Sequence, residues 1–335
     1  MHHLDPDLPV QKILSGKFRR YHHLSLLRQL LWPQLVLLNL RDSFLVLLGF
    51  VQSIIKLLLW RPDVVFTKGG YVCLPVGLAA KLLRIPLVIH DSDAHPGLTN
   101  RVLSRWASAI ATGAPLKYYS YPTSISRYVG IPISADFHPF STAEQQTAKQ
   151  LWGLAVDRPL TVITGGGLGA QLINDSVALH ITALLQVSSV VLIAGTAQYD
   201  ALKSLLPPNS DHFQLHSFVS RDMAELLGAA DVVVTRAGAT TILELAALAK
   251  PTILIPNGKL TGGHQLKNAA VYADAEAVEI VTEQTLVGDP LVLPRTIARL
   301  LNDKNHSQAM AARFAHFARP DAAKDMAEMI IAASL

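Results

Sequence analysis

Short apolar runs without polar alternation punctuate this chain, and longer amphipathic stretches separate them. In the second half, the runs at 159–164, 190–194, 213–218, 231–236, 251–256 and 277–281 predict strands. Helical spacing fills the gaps at 171–186, 222–230 and 264–273, with a further helix ending at 250. Asp222 stands where it can cap the helix that follows it. Strands that are apolar on both faces belong in a parallel sheet with helices on either side. The first half repeats the theme, with strands at 63–66, 86–90 and 108–112 and helices at 74–83 and 100–107. Gly77, Ala79 and Ala80 require the first of those helices to pack closely. The segment 126–139, with Gly130, Pro132 and Pro139, reads as a crossing between domains. Pro320 interrupts a helical pattern that resumes over 321–331. The expected architecture is α/β, two similar doubly wound parallel sheets facing a cleft.

Composition narrows the class. The 335 residues exceed one average domain and fit two. Half are hydrophobic and 16% are charged, so core material is ample. Cys73 is the only cysteine, which excludes an internal disulfide and suits the cytosol. A net charge of +4 favours anionic partners such as nucleotides, pyrophosphates or acidic lipid surfaces. Lys/Arg-rich runs are absent, so a nucleic-acid partner is not expected. Residues 1–6 are polar and contain proline, so no secretory signal is expected there. The apolar region 24–60 requires a membrane test. Its longest block, 44–60, has 17 residues, includes Gln52, Ser53 and Lys56, and follows Arg41-Asp42. A spanning helix needs about 20 apolar residues. A core helix or a membrane-surface helix is therefore expected.

Ligands of open parallel sheets bind beyond the carboxyl ends of the strands. Five unusual turns fall at such ends: Gly69-Gly70, 90–93, 165–169, 237–241 and 258–265. Facing sheets would bring them onto one cleft. At Ala239, Thr240 and Thr241 a helix begins just after Gly238, so unpaired N–H groups can meet phosphate. Glu244 lies further along that helix, where it can accept from sugar hydroxyls; an ordinary strand–turn–helix connection with a surface Glu gives the same pattern. Gly165 to Ala170 admits a backbone close to a diphosphate or an acceptor, or makes a tight turn of positive φ. Gln265 and Asn268 share a helix face and suit sugar hydroxyls or an acetamido group, or cap the helix. Tyr71, with Lys68 before Gly69-Gly70, lines an acceptor site or is a structural aromatic. Asp91 and Asp93 are too few carboxylates for a hard cation. His90 and His95 have no cysteine near them for zinc, and His2-His3 and His22-His23 read as solvated. No metal or other cofactor is expected. Gly-x-Ser-x-Gly and Walker sequences are absent, against hydrolase and P-loop readings.

Taken together, these residues resemble the MurG family of peptidoglycan glycosyltransferases. The resemblance rests on Ser15 to Tyr21, Pro62 to Val72, His90-Asp91-Ser92-Asp93 with 96–101, Gly165 to Asn174, Arg236 to Ala239 with Glu244, and His264-Gln265 with Asn268-Ala269. It covers nearly the whole chain. It implies a GT-B fold with an acceptor and membrane-side domain at 1–134, a UDP-sugar domain at 135–319 and a final helix, 320–335, crossing back. It implies inverting, metal-independent transfer of N-acetylglucosamine from UDP-GlcNAc to undecaprenyl-linked lipid I, giving lipid II, at the cytoplasmic face of the membrane. By the same resemblance Val219 lies by the uracil, Ala239 to Thr241 by the phosphates, Glu244 on the ribose, and Gln265, Asn268 and Asp93 on the donor sugar. Gly167 stands where many members carry Ser, and Ser134 where many carry Arg. The family's opening strand and Gly-Gly-Thr-Gly-Gly-His loop have no counterpart in these residues. The expectation is a start codon placed too late, or a shortened variant whose first sheet lacks its central strand. His90, Asp91 and Asp93 are then the candidates for the catalytic base in this half. Two other readings fit the same fold: a nucleotide-sugar-binding protein that transfers nothing, and a transferase or epimerase for another UDP-sugar.

Overall fold

The computed structural model describes residues 9–18, 31–166, 170–258 and 263–335. Two parallel sheets organise it. The first has the order β1-β2-β3-β4, with strands Val65–Thr67, Leu87–Asp91, Ala109–Thr112 and Ser126–Tyr128. The second has the order β10-β9-β8-β5-β6-β7. Its strands are β5 Leu160–Thr164, β6 Ser189–Ile193, β7 Phe213–His216, β8 Val232–Thr235, β9 Thr252–Leu254 and β10 Glu279–Ile280. Around the first sheet lie α1 Pro33–Trp60, α2 Cys73–Leu82 and α3 Leu98–Leu103. The second carries α4 Thr142–Leu151, α5 Gln171–Val187, α6 Tyr199–Lys203, α7 Met223–Ala229 and α8 Ala239–Ala247. After these come α9 His264–Ala273, α10 Glu283–Gly288, α11 Val292–Asn302, α12 Lys304–Ala315 and α13 Ala322–Ser334.

The apolar runs became strands for the expected reason. Every residue of β2, β5 and β6 is buried, as a sheet covered on both faces requires. Gly77 on α2 rests against Leu103, where a Cβ would come within 2.6 Å of the leucine side chain. The cores follow the sheets. Leu57, Leu87, Ile89, Leu103 and Ile110 pack together in the first, and Ile163, Ile173, Leu192 and Val234 in the second.

Some boundaries differ from expectation. β10 is only Glu279–Ile280, because Ala277 and Val278 turn into the core before pairing begins. Asp222 occupies the N-cap position of α7 but makes no side-chain cap bond. The segment expected to cross between domains begins with β4, which pairs with β3. α13 returns to the first sheet, where Ala322 and Met326 pack on Ala111 and Val129. Arg127 donates to Asp325 at 2.8 Å across that contact.

The largest departure is α1. It runs 28 residues from Pro33, whose fixed φ suits a first helical turn. By length and composition, with a mean hydropathy of 2.0 over an 18-residue window, it is long and apolar enough to cross a membrane. Length therefore does not exclude a span, and packing must decide. Leu35, Asp42, Gly49, Ser53 and Leu57 make a buried stripe, and Gly49 backs onto the Leu14 backbone. The opposite side exposes Leu47, Leu58, Leu59 and Trp60. The helix lies along the first domain with one face covered and one apolar face open. A core helix is thereby excluded.

Candidate functional site

The carboxyl ends of both sheets face one another across a cleft with two cavities. The larger, about 1150 Å³, belongs to the second sheet and is lined by Gly166, Arg236, Gly238, Thr241 and Gln265 among others. The smaller, about 350 Å³, is lined by Lys17, Lys68, Gly69, Gly70, Asp93 and His264 among others.

Backbone geometry shapes the larger cavity. Gly166 has φ +77° and its N–H donates to Thr164 Oγ1 at 3.2 Å. A Cβ on Gly166 or Gly238 would meet nothing within 4 Å, so both peptides are open to a ligand. Gly238 is the N-cap of α8 and supplies no side-chain cap. The first N–H groups of α8, at Ala239, Thr240 and Thr241, are therefore available at the positive end of the helix dipole. Arg236 is almost fully buried, donates to Ile255 O at 3.0 Å and pairs with Glu283 at 2.8 Å. Glu244, one turn beyond Thr241, is half-buried with no polar partner among the described residues. Burial raises its carboxyl above the ordinary range. Gln265 accepts from Asn257 N–H at 2.8 Å through Oε1.

Other expected contacts are placed differently. Val219 is buried in the core, so its side chain is not presented to a ligand; its neighbour Phe218 is exposed instead. Ser134 is exposed on the interdomain segment and donates to Asp136 at 2.7 Å. Gly167, with 168–169, 259–262, 19–21, His2-His3 and His22-His23, lies outside the described residues.

Asn268 is a clip between the domains. Its Oδ1 accepts from Ala94 N–H at 2.8 Å, and its Nδ2 donates to Asp93 Oδ1 at 2.9 Å and to Ala237 O at 3.2 Å. Its amide is spent on protein, so contact with a sugar requires exchange of one of these bonds.

The loop after β2 holds the acidic residues. His90 is fully buried, and its Nε2 lies 2.8 Å from Gly130 O. Burial lowers its pKa to about 4, leaving it neutral, with Nε2–H donating to that carbonyl. A buried ring bonded to the Gly130 carbonyl has no access to the cleft, so His90 does not fit the role of base expected of it. Asp91 lines the smaller cavity but is 5% exposed. It accepts from Asn100 Nδ2 at 2.7 Å and from the Tyr121 hydroxyl. Burial, the largest influence, pushes its pKa up, and Asp93 adds to this. Tyr119 donates to Asp93 O at 2.7 Å and fixes the same loop. These tyrosines carried no motif, and only the folded chain brings them here.

Opposite, Gly69 and Gly70 have φ +79° and +85°, conformations that exclude ordinary side chains. Tyr71 is 46% exposed, and its carbonyl accepts from Ser15 Oγ at 2.8 Å. Cys73 donates to Gly69 O at 2.7 Å. Among the described residues no group of three or more His, Cys, Asp or Glu side chains could hold a metal ion.

Residues 17–112 match the glycosyltransferase family 28 N-terminal domain, and 160–326 the family 28 C-terminal domain. An enzyme of Geobacillus thermodenitrificans, UDP-N-acetylglucosamine–N-acetylmuramyl-(pentapeptide) pyrophosphoryl-undecaprenol N-acetylglucosamine transferase, is 32% identical over 89% of this chain and 78% of its own length. One of the same name from an Exiguobacterium species is 34% identical over 81% and 74%. The chain belongs to the MurG family. The crystal structure of MurG from Acinetobacter baumannii superposes with a TM-score of 0.68 at 27% identity, over 87% of this chain and 79% of that one. A UDP-GlcNAc 2-epimerase from Neisseria meningitidis shares the fold, with a TM-score of 0.61 at 13% identity over 84% and 80%. MurG membership makes this a GT-B hexosyltransferase by family, with the glycine-lined turns of both sheets on its cleft.

Proposed function

We propose that this chain transfers N-acetylglucosamine from UDP-GlcNAc to undecaprenyl-pyrophosphoryl-MurNAc-pentapeptide, forming lipid II with inversion and without a metal ion. The carrying observation is the pair of cavities that meet at the start of α9, where His264 lines one and Gln265 the other. UDP-sugar occupies the larger cavity. Its diphosphate faces the N–H groups of Ala239 to Thr241, its ribose reaches Glu244, and its sugar extends toward Gln265, Asn268 and Asp93. These helix N–H groups stabilise the leaving diphosphate in place of a cation. The acceptor pyrophosphate lies in the smaller cavity, against Lys68 and the Gly69-Gly70 backbone, beside Tyr71.

The acceptor is a lipid, and the first domain offers a surface for it. Leu47, Leu58 and Trp60 of α1 are exposed. A groove of about 740 Å³ beside α1, lined by Phe50, Leu78 and Trp106 with Lys81 and Arg84, suits acyl chains below anionic headgroups. The protein accordingly rests peripherally on the cytoplasmic face of the membrane.

Purified protein, labelled UDP-GlcNAc and a lipid I analogue test the reading. Labelled lipid II formed equally with and without EDTA is the expected result. UDP-GlcNAc binding without transfer would establish a non-catalytic binding protein instead, and conversion of the UDP-sugar without acceptor an epimerase.

A further inference from the structure

We infer that His264 is the general base of the transfer and that Asp93 orients it; this rests on the reading above and names the group that accepts the acceptor's proton. Two independent observations converge. His264 and Gln265 are consecutive, yet His264 lines the acceptor-side cavity and Gln265 the donor-side cavity. His264 therefore stands at the seam where an acceptor hydroxyl meets an anomeric carbon. Its Nδ1 is sealed from solvent and makes no hydrogen bond among the described residues, while Asp93 Oδ2 lies 3.4 Å away. Asp93 is held in turn, since Asn268 donates to its other oxygen at 2.9 Å. Base, orienting carboxylate and carboxylate anchor thus form a chain that crosses the cleft. Contacts of this kind are commonly long without substrate and tighten in the reacting complex.

Closure of the 3.4 Å gap between Nδ1 and Asp93 Oδ2 in the reacting complex would hold the proton on Nδ1 and leave the Nε2 lone pair for substrate. During transfer the acceptor O–H bond breaks and its proton moves to Nε2. The hydroxyl oxygen bonds to the anomeric carbon, and the carbon–oxygen bond to UDP breaks with its electron pair leaving on the β-phosphate. The Asp93 carboxylate stabilises the imidazolium that results. The charged groups lining the same cavity are Lys17, Lys68, Asp91 and Asp93.

The test compares wild type, His264→Gln and Asp93→Asn with UDP-GlcNAc and a lipid I analogue, across pH. Expected for His264→Gln is a fall in kcat of about 10²–10⁴-fold, the range of general-base catalysis. Its KM for UDP-GlcNAc changes less than threefold, and the acidic limb of the kcat profile disappears. Asp93→Asn lowers kcat by a smaller factor, and the double variant is no worse than His264→Gln alone. Histidine ¹⁵N spectra of wild type with UDP show His264 protonated at Nδ1. Transfer by wild type with kcat of His264→Gln within threefold, or an unchanged acidic limb in that variant, overturns the inference and leaves the proposed function intact. Absence of transfer by wild type overturns both.

Discussion

The two sheets obey one folding logic but meet different surroundings. In the second domain, α5, α8 and α11 turn apolar faces inward, and Ile163, Val234 and Ile253 are fully buried. In the first, α1 leaves Leu47 57%, Leu59 81% and Trp60 67% exposed. A monomer seldom leaves such a strip open without a partner. Apolar residues in the second domain hold the fold together, whereas α1 divides its own between the core of the first domain, at Leu57, and a face left open.

Substitution should separate these roles. Ile163→Ala should lower unfolding stability by about 2–5 kcal/mol, read from denaturant titration, because a fully buried strand residue leaves a cavity. Acid should act next. His90 has a folded pKa of about 4 against 6.5 for the free side chain, so the unfolded state binds more protons between those values. Stability should therefore be complete above about pH 6.5 and fall as pH drops toward 4, by roughly 2–3 kcal/mol, and His90→Asn should flatten that limb. Asn268→Ala should cost about 1–3 kcal/mol by leaving the Ala94 N–H and Ala237 carbonyl without their partner. Faster hydrogen exchange at Ala94 would report the loosened clip. Leu47→Ser should change stability in water by less than about 0.5 kcal/mol while weakening sedimentation with anionic vesicles. If it instead destabilised the protein as Ile163→Ala does, the contrast between the two domains would fail.

Much of this was legible from local pattern. Unalternated apolar runs located the strands, and the glycine turns at Gly69-Gly70 and Gly238 marked the cleft. The illegible parts depend on distant partners. The residue type of Asn268 does not reveal that its bonds reach Asp93 and Ala94, some 175 positions earlier. His90 read as a candidate base until its carbonyl partner, Gly130, came from another loop. Arg41-Asp42 stand just before the longest apolar block, yet Asp42 is 1% exposed beneath the Gly16 backbone. Charge along a sequence does not reveal which way a side chain turns once another segment covers it.

One peptide link joins the residues that face the two cavities, and neighbouring Cα atoms sit about 3.8 Å apart. That short, stiff rung ties the α9 wall of one chamber to the α9 wall of the other. Any tilt of α9 therefore displaces both walls together.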